Sequence, residues 1–167
     1  GLIVPMVQDE AQARAIVQSA KYPPEGARGA AFGVAHDNYI AAPVPEVMAS
    51  ANSEGFIIAQ IETVSGIENC EAIAAVEGID CLWVGHFDLS LSMGIPAQFD
   101  NPKFLAAIEK VASACEKHGK TAGVMVNNAA GAQVWKDFGY RAFAALGDVW
   151  LYQNALAQSL SELKALG

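Results

Sequence analysis

The sequence predicts an α/β protein built on a parallel sheet. Short apolar runs alternate five times with segments of helical period, and strict alternation of this kind implies parallel strands joined by helices. The runs Phe56 to Glu62 and Ile79 to Val84 are short and mostly apolar, in keeping with strands covered on both faces. The composition agrees, with 53% hydrophobic and 17% charged residues. Five units fit either an open doubly wound sheet or most of an eight-unit barrel of roughly 250 residues. The 167 residues suffice for a single domain, 1–167, with a sizeable core, and no low-complexity linker divides them.

The first strand is the apolar run Gly1 to Val7, with Pro5 at its end because proline would remove a ladder hydrogen bond from the middle. Asp9 caps a helix from about Glu10 to Lys21, whose stripe is Ala13, Ile16, Val17 and Ala20. The helix stops before Pro23-Pro24. A long Gly-punctuated loop follows, and loops of this length are more often functional than plain connections. Arg28 in it has two readings, an anion or subunit contact and a structural role. His36 reads as a polar loop residue.

Pro43 and Pro45 open a second helix that Gly55 closes. The second strand runs from Phe56 to Glu62, and Ser65-Gly66-Ile67-Glu68 resembles a capping box for a helix reaching about Val76. The third strand, Ile79 to Val84, leads into a turn from Gly85 to Ser90. Asn101-Pro102 starts a strong helix with proline at its first position and an apolar face of Leu105, Ile108, Val111, Ala112 and Cys115. His118-Gly119 ends it, so His118 reads as a C-terminal helix residue. Thr121 to Val126 is the fourth strand, Asn127-Asn128 leads into a helix through Phe138, and Tyr140 to Leu146 is the fifth strand. Asp148 then caps a final amphipathic helix.

The net charge of −8 argues against nucleic acid, which requires a clustered basic surface. An acidic protein that binds an acidic substrate needs a cation between them. Cys70, Cys81 and Cys115 show no C-x-x-C or zinc spacing and read as reduced core thiols of a cytoplasmic protein. No stretch reaches the ~18 uninterrupted apolar residues of a membrane span, and Leu2 to Val7 lacks the flanks of a signal peptide. The start in an apolar strand without methionine leads to the expectation that upstream sequence precedes it. G-x-G-x-x-G, G-K-[ST] and G-x-S-x-G are all absent.

Two runs end in single carboxylates, Glu62 and Asp88. Their separation fits a strand-helix-strand repeat of roughly 30 residues. Adjacent parallel strands lie about 4.8 Å apart, which lets two carboxylates converge on a hard cation such as Mg²⁺. Acids after strands also serve as helix caps or surface residues, and spacing alone leaves both readings open.

Four ordered segments carry a more specific signal: Gly1-Leu2-Ile3-Val4-Pro5-Met6-Val7, Tyr22-Pro23-Pro24-Glu25-Gly26-Ala27-Arg28-Gly29, Gln60-Ile61-Glu62-Thr63 and Val84-Gly85-His86-Phe87-Asp88-Leu89-Ser90. In this order and spacing the chain resembles the HpcH/HpaI class II 2-oxo acid aldolases, the group of the 4-hydroxy-2-oxoheptanedioate and 2-dehydro-3-deoxyglucarate aldolases. The resemblance implies a (β/α)₈ TIM barrel of the pyruvate/phosphoenolpyruvate superfamily, of which this chain looks like units four to eight. It also implies a Mg²⁺, Mn²⁺ or Co²⁺ site on Glu62 and Asp88, with Gln60 and the backbone around Phe87 and Asp88 contacting the 2-oxo acid. Such enzymes cleave or form 4-hydroxy-2-oxo acids, giving pyruvate and an aldehyde through a metal-stabilised enolate.

Family members commonly carry proline after the glycine of the last motif and a small residue before its aspartate, where this chain has His86 and Phe87. His86 therefore has two readings, an approach to the site and a rim or packing role. The family's general-base histidine, its supporting aspartate and its arginine lie in the first three units, so no acid-base residue transfers to this chain. His36, His86 and His118 do not match those positions. Family assemblies are commonly hexamers with the last helix on a neighbour, which Trp150, Leu151, Tyr152 and Leu156 would serve, although packing within one subunit explains the same residues. Two alternatives stand beside the aldolase: an acyl-CoA lyase of the citrate lyase β or malyl-CoA type, and a catalytically incomplete protein that binds metal or 2-oxo acid.

Overall fold

The computed structural model describes residues 1–166. Five strands, β1 (Leu2–Val4), β2 (Ile57–Ile61), β3 (Cys81–Val84), β4 (Thr121–Val126) and β5 (Ala142–Ala145), form one sheet in the order β1-β2-β3-β4-β5. Every pairing is parallel. A doubly wound sheet reverses its strand order and so carries helices on both faces. Here the order never reverses, and right-handed crossovers put the helices on one face of a sheet curled into half a barrel. The open doubly wound alternative is excluded.

The covering layer consists of α1 (Glu10–Ala20), α3 (Val64–Glu68), α4 (Cys70–Ala74), α6 (Pro102–Lys117) and α7 (Ala129–Asp137). Beneath it lie Ile57, Ala59 and Ile61 of β2, Leu82 and Val84 of β3, and Ala122, Val124 and Val126 of β4, all buried. Burial of that apolar area, worth about 25 cal/mol per Å², holds helices to sheet. On the other face Gln60, Trp83 and Gly123 stand in register. A Cβ on Gly123 would meet the Trp83 ring at 2.5 Å, so glycine there is what lets the indole lie across β4.

Most helix starts follow from local chemistry. Asp9 Oδ1 accepts from Gln12 N–H at 2.8 Å, Asn101 Oδ1 from Lys103 N–H at 3.0 Å, and Asn128 Oδ1 from Gly131 N–H at 2.8 Å. Each occupies the N-cap position expected of its residue type. α2 (Val44–Glu54) opens on Pro43 and closes at Gly55, as the prolines and glycine predict.

Four local expectations are corrected. The cap after β2 is Thr63, whose Oγ1 accepts from Gly66 N–H at 3.0 Å, and Ser65 lies inside the helix rather than at its start. That helix is not continuous to Val76. It breaks at Asn69, whose amide donates 2.8 Å to the Gln8 carbonyl and ties the break to the loop after β1. The segment after Gly85 is helical from its first residue, as α5 (His86–Ser92), rather than a turn to Ser90. At the C-terminus, the N-cap of α8 (Asp148–Lys164) is Gly147; Asp148 is the first helical residue, and its Oδ1 accepts from Val149 N–H.

No residue of α8 is buried, and Trp150, Leu151, Tyr152, Leu156, Leu160 and Leu163 are all exposed. Leu2 and Ile3 of β1 and Phe143 of β5 are exposed as well. Among the described residues, no helix is long and apolar enough to cross a membrane.

Candidate active site

Glu62 follows β2 and Asp88 sits in the first turn of α5, directly after β3. Because Ile61 pairs with Val84, both carboxylates belong to the C-terminal ends of adjacent strands, where parallel α/β folds place their chemistry.

The two acids differ in setting. Glu62 is only 4% exposed, and a buried carboxylate requires hydrogen-bonding partners. Oε1 accepts from Met6 N–H at 2.9 Å and Oε2 from the Gln60 amide at 2.5 Å. The Met6 contact links the loop after β1, 56 residues away, to the site, and nothing in the local pattern announces it. Gly85 closes the other side. A Cβ there would collide with Glu62 Oε2 and approach Gln60 Nε2 at 2.9 Å, so glycine is what lets the acid and its amide partner lie against the start of α5. Asp88 is exposed.

The first turn of α5 adds donors. Gly85 provides no side-chain cap, and the first bond of the helix is Leu89 N–H to Gly85 C=O at 2.9 Å. The N–H groups of Phe87 and Asp88 precede that bond and have no intrahelical partner. Ser90 locks the helix in place: its buried Oγ donates to Phe87 C=O at 2.7 Å and accepts from Ala97 N–H at 3.0 Å.

His86 belongs to an aromatic cluster. Its ring lies 4.9 Å from Phe87, 5.2 Å from Phe99 and 6.2 Å from Trp135. Burial holds its pKa below the usual imidazole value, against the opposing pull of Asp88. These contacts describe a packed side chain. Phe87 is held edge-on against Phe99 at 5.1 Å, with half its surface exposed.

The other polar residues singled out from the sequence lie elsewhere. The Arg28 guanidinium stacks over the buried Tyr22 ring at 4.5 Å, the structural one of its two readings. The Tyr22 hydroxyl is 3.4 Å from His36 Nε2. His118 is the C-cap of α6. Cys70, Cys81 and Cys115 are free and buried.

The adjacent ends of β2 and β3 thus carry two carboxylates, a carboxamide and backbone N–H groups without an intrahelical partner. Oxygen donors of this kind suit a hard divalent cation, which one or two protein carboxylates hold while waters and substrate oxygens fill the remaining positions. Among the described residues no group of three or more acidic, histidine or cysteine ligands is gathered.

Comparison with known proteins agrees with the motifs. The model of the HpcH/HpaI aldolase/citrate lyase family matches residues 1–148. A 5-keto-4-deoxy-D-glucarate aldolase of Klebsiella pneumoniae is 35% identical over 92% of this chain and 59% of its own length. A hydroxypyruvate/pyruvate aldolase of Cupriavidus necator is 38% identical over 96% of this chain and 61% of its own. The crystal structure of an HpcH/HpaI aldolase from Desulfitobacterium hafniense superposes with a TM-score of 0.88 at 32% identity, covering 97% of this chain and 62% of that one. The chain thus spans about three-fifths of the length of these relatives. A family model covering most of the chain, together with relatives above 30% identity along nearly all of it, shows that the chain belongs to the HpcH/HpaI aldolase/citrate lyase family.

Proposed function

We propose that the chain forms units four to eight of a (β/α)₈ class II aldolase, which cleaves or forms 4-hydroxy-2-oxo acids to give pyruvate and an aldehyde. The observation that carries this reading is the buried Glu62 carboxylate, held by Met6 N–H and the Gln60 amide and packed against Gly85, from which α5 starts.

Glu62 and Asp88 are the residues that would hold the divalent ion, Mg²⁺, Mn²⁺ or Co²⁺, which when bound supplies Lewis-acid polarisation of the 2-oxo group. Gln60 fixes the Glu62 carboxylate through its amide, and Met6 N–H restrains the other oxygen. The N–H groups of Phe87 and Asp88 receive the carboxylate of the 2-oxo acid, orienting it and offsetting its charge. With both oxygens held by hydrogen bonds, the Glu62 carboxylate is oriented before substrate arrives. The proton transfers of cleavage are assigned to no residue of this chain. The apolar, unburied α8 fits a homo-oligomer, up to the family's hexamer, in which Trp150, Leu151, Tyr152 and Leu156 pack on a neighbour. The three free thiols fit a cytoplasmic setting.

The test is pyruvate release from 4-hydroxy-2-oxo acids by the protein as its gene encodes it, before and after chelation and after return of Mg²⁺, Mn²⁺ or Co²⁺. Release lost on chelation and restored by one of these ions is the expected result. Release that persists in chelator, or none from any substrate by a folded, metal-binding protein, overturns the reading.

A further inference from the structure

In a regular strand successive N–H groups point to opposite edges. Leu2 N–H donates to Phe56 C=O, just before β2, at 2.8 Å, and Val7 N–H donates to Gln60 C=O of β2 at 3.1 Å. Leu2 and Val7 are an odd number of positions apart, so an unbroken strand would turn Val7 away from β2. Met6 supplies the reversal. Its φ is 58°, in the left-handed region that a residue bearing a Cβ enters only at a cost. Its own N–H meets Glu62 Oε1 at 2.9 Å. Two consecutive N–H groups therefore face β2, the first on the Glu62 carboxylate and the second on the Gln60 carbonyl.

We propose that Met6 is a positioning residue for the ion site: its left-handed backbone, and not its side chain, turns these N–H groups onto β2 and fixes Glu62 for the divalent ion. The identity of that ion rests on the aldolase reading above.

A strained backbone of this kind persists where its surroundings over-determine it, and the segment after Met6 is held from several elements. Val7 is buried, and its carbonyl lies 2.8 Å from where a Cβ on Gly66 would stand, so that glycine lets the loop rest on α3. Gln8 N–H donates to Gln12 Oε1 of α1 at 2.8 Å, and Gln8 C=O accepts from the Asn69 amide at 2.8 Å. On the loop's side these bonds all use backbone groups of residues 6–8, so none depends on which side chain Met6 carries. Met6 thus partners one Glu62 oxygen as Gln60 partners the other. Hydrogen-bond partners of a liganding carboxylate typically govern about 10- to 100-fold in metal affinity.

The experiment uses the protein as its gene encodes it. It measures Mn²⁺ affinity by calorimetry without substrate, beside metal-dependent pyruvate release from a 4-hydroxy-2-oxo acid. Met6→Gly enters the left-handed region freely, and Met6→Leu changes the side chain at a similar backbone cost. Both should keep Mn²⁺ affinity within about twofold of native. Met6→Val, whose β-branch opposes that region, should weaken it about tenfold or more. The α-hydroxy analogue of methionine placed at position 6 exchanges only the N–H for an ester oxygen. It should weaken binding by about the same factor, and it decides the matter where the Met6→Val protein fails to fold. Loss of affinity in Met6→Gly gives the role to the side chain and overturns the inference, as does native affinity in the ester protein. The expected order of affinities in a protein that releases no pyruvate leaves the inference standing and sinks the aldolase reading. Pyruvate release with equal Mn²⁺ affinity in every variant does the reverse. A native protein that binds no Mn²⁺ overturns both.

Discussion

At the N-terminal end of the sheet, Lys21, Asn52 and Asp80 use their polar atoms on the protein's own backbone, whereas at the C-terminal end Asp88 and the first N–H groups of α5 are turned to open space. The Lys21 ammonium bonds the carbonyls of Asn52 and Gly55 at the C-terminus of α2, where a cation also meets the helix dipole favourably. Asn52 accepts from Tyr22 N–H at 2.7 Å and donates to Tyr22 C=O at 2.9 Å and to Glu25 at 3.1 Å. Asp80 Oδ2 accepts from Ile57 N–H at 2.7 Å, pinning the start of β2 to that of β3. A cavity of about 630 Å³ opens at this end, larger than a 500 Å³ cavity beside the carboxylates, and charges of both signs line it. Volume alone does not identify the reactive end.

The sharpest way to break this division is to exchange the expected losses. Asp88→Ala should lower kcat/KM at least about 100-fold, since an ion ligand supports several kcal/mol of transition-state stabilisation, and leave Tm nearly unchanged because the side chain is exposed. Gly85→Ala should act in the same direction by pressing on Glu62. A melting curve beside the kinetics decides, and a large fall in Tm for Asp88→Ala would end the distinction. Asn52→Ala should do the reverse. It leaves the Tyr22 backbone groups buried without partners, at a cost of about 3 kcal/mol, or roughly 10 °C in Tm. Activity per folded molecule should hold, and its loss without destabilisation would place the N-terminal end in the mechanism.

The smallest effect sharpens the inert end. Burial pushes the thiols of Cys81 and Cys115 up to about 12, so at pH 8 only about one molecule in ten thousand carries the thiolate, the reactive form. Iodoacetamide should leave both unmodified in native protein and label both after unfolding, as mass spectrometry would show. Because their pKa values are raised, folding opposes ionisation, so these thiols cost stability only as pH climbs past the ordinary thiol value of 9.0.

The sequence makes some of this legible and conceals the rest for physical reasons. Asp9, Asn101 and Asn128 act on N–H groups two or three residues away, and local capping rules find them. Glu62 and Asp88 stand out because each ends a short apolar run. Thr63 was displaced by the Ser-x-x-Glu pattern two residues on, since two overlapping cap signals compete and sequence does not rank them. Lys21, Asn52 and Asp80 escape notice because their partners lie 23 to 34 residues distant, beyond any periodic signal. The aromatic setting of His86 joins α5 to Phe99 and to Trp135 on α7, a tertiary contact with no local trace. The apolar stripe expected for the last helix is present but covers no part of the described sheet, because amphipathicity says that a face seeks cover without saying where.

The unbroken strand order also bears on how the chain assembles. Each ladder joins strands that are neighbours in sequence, from 19 residues between Gly123 and Ala142 to 55 between Leu2 and Ile57. Closing the longest of these loops costs only about 0.9 kcal/mol more entropy than closing the shortest. No ladder is kinetically privileged by chain length, and the edge strand β1 is disadvantaged less by distance than by having a single neighbour among the described strands.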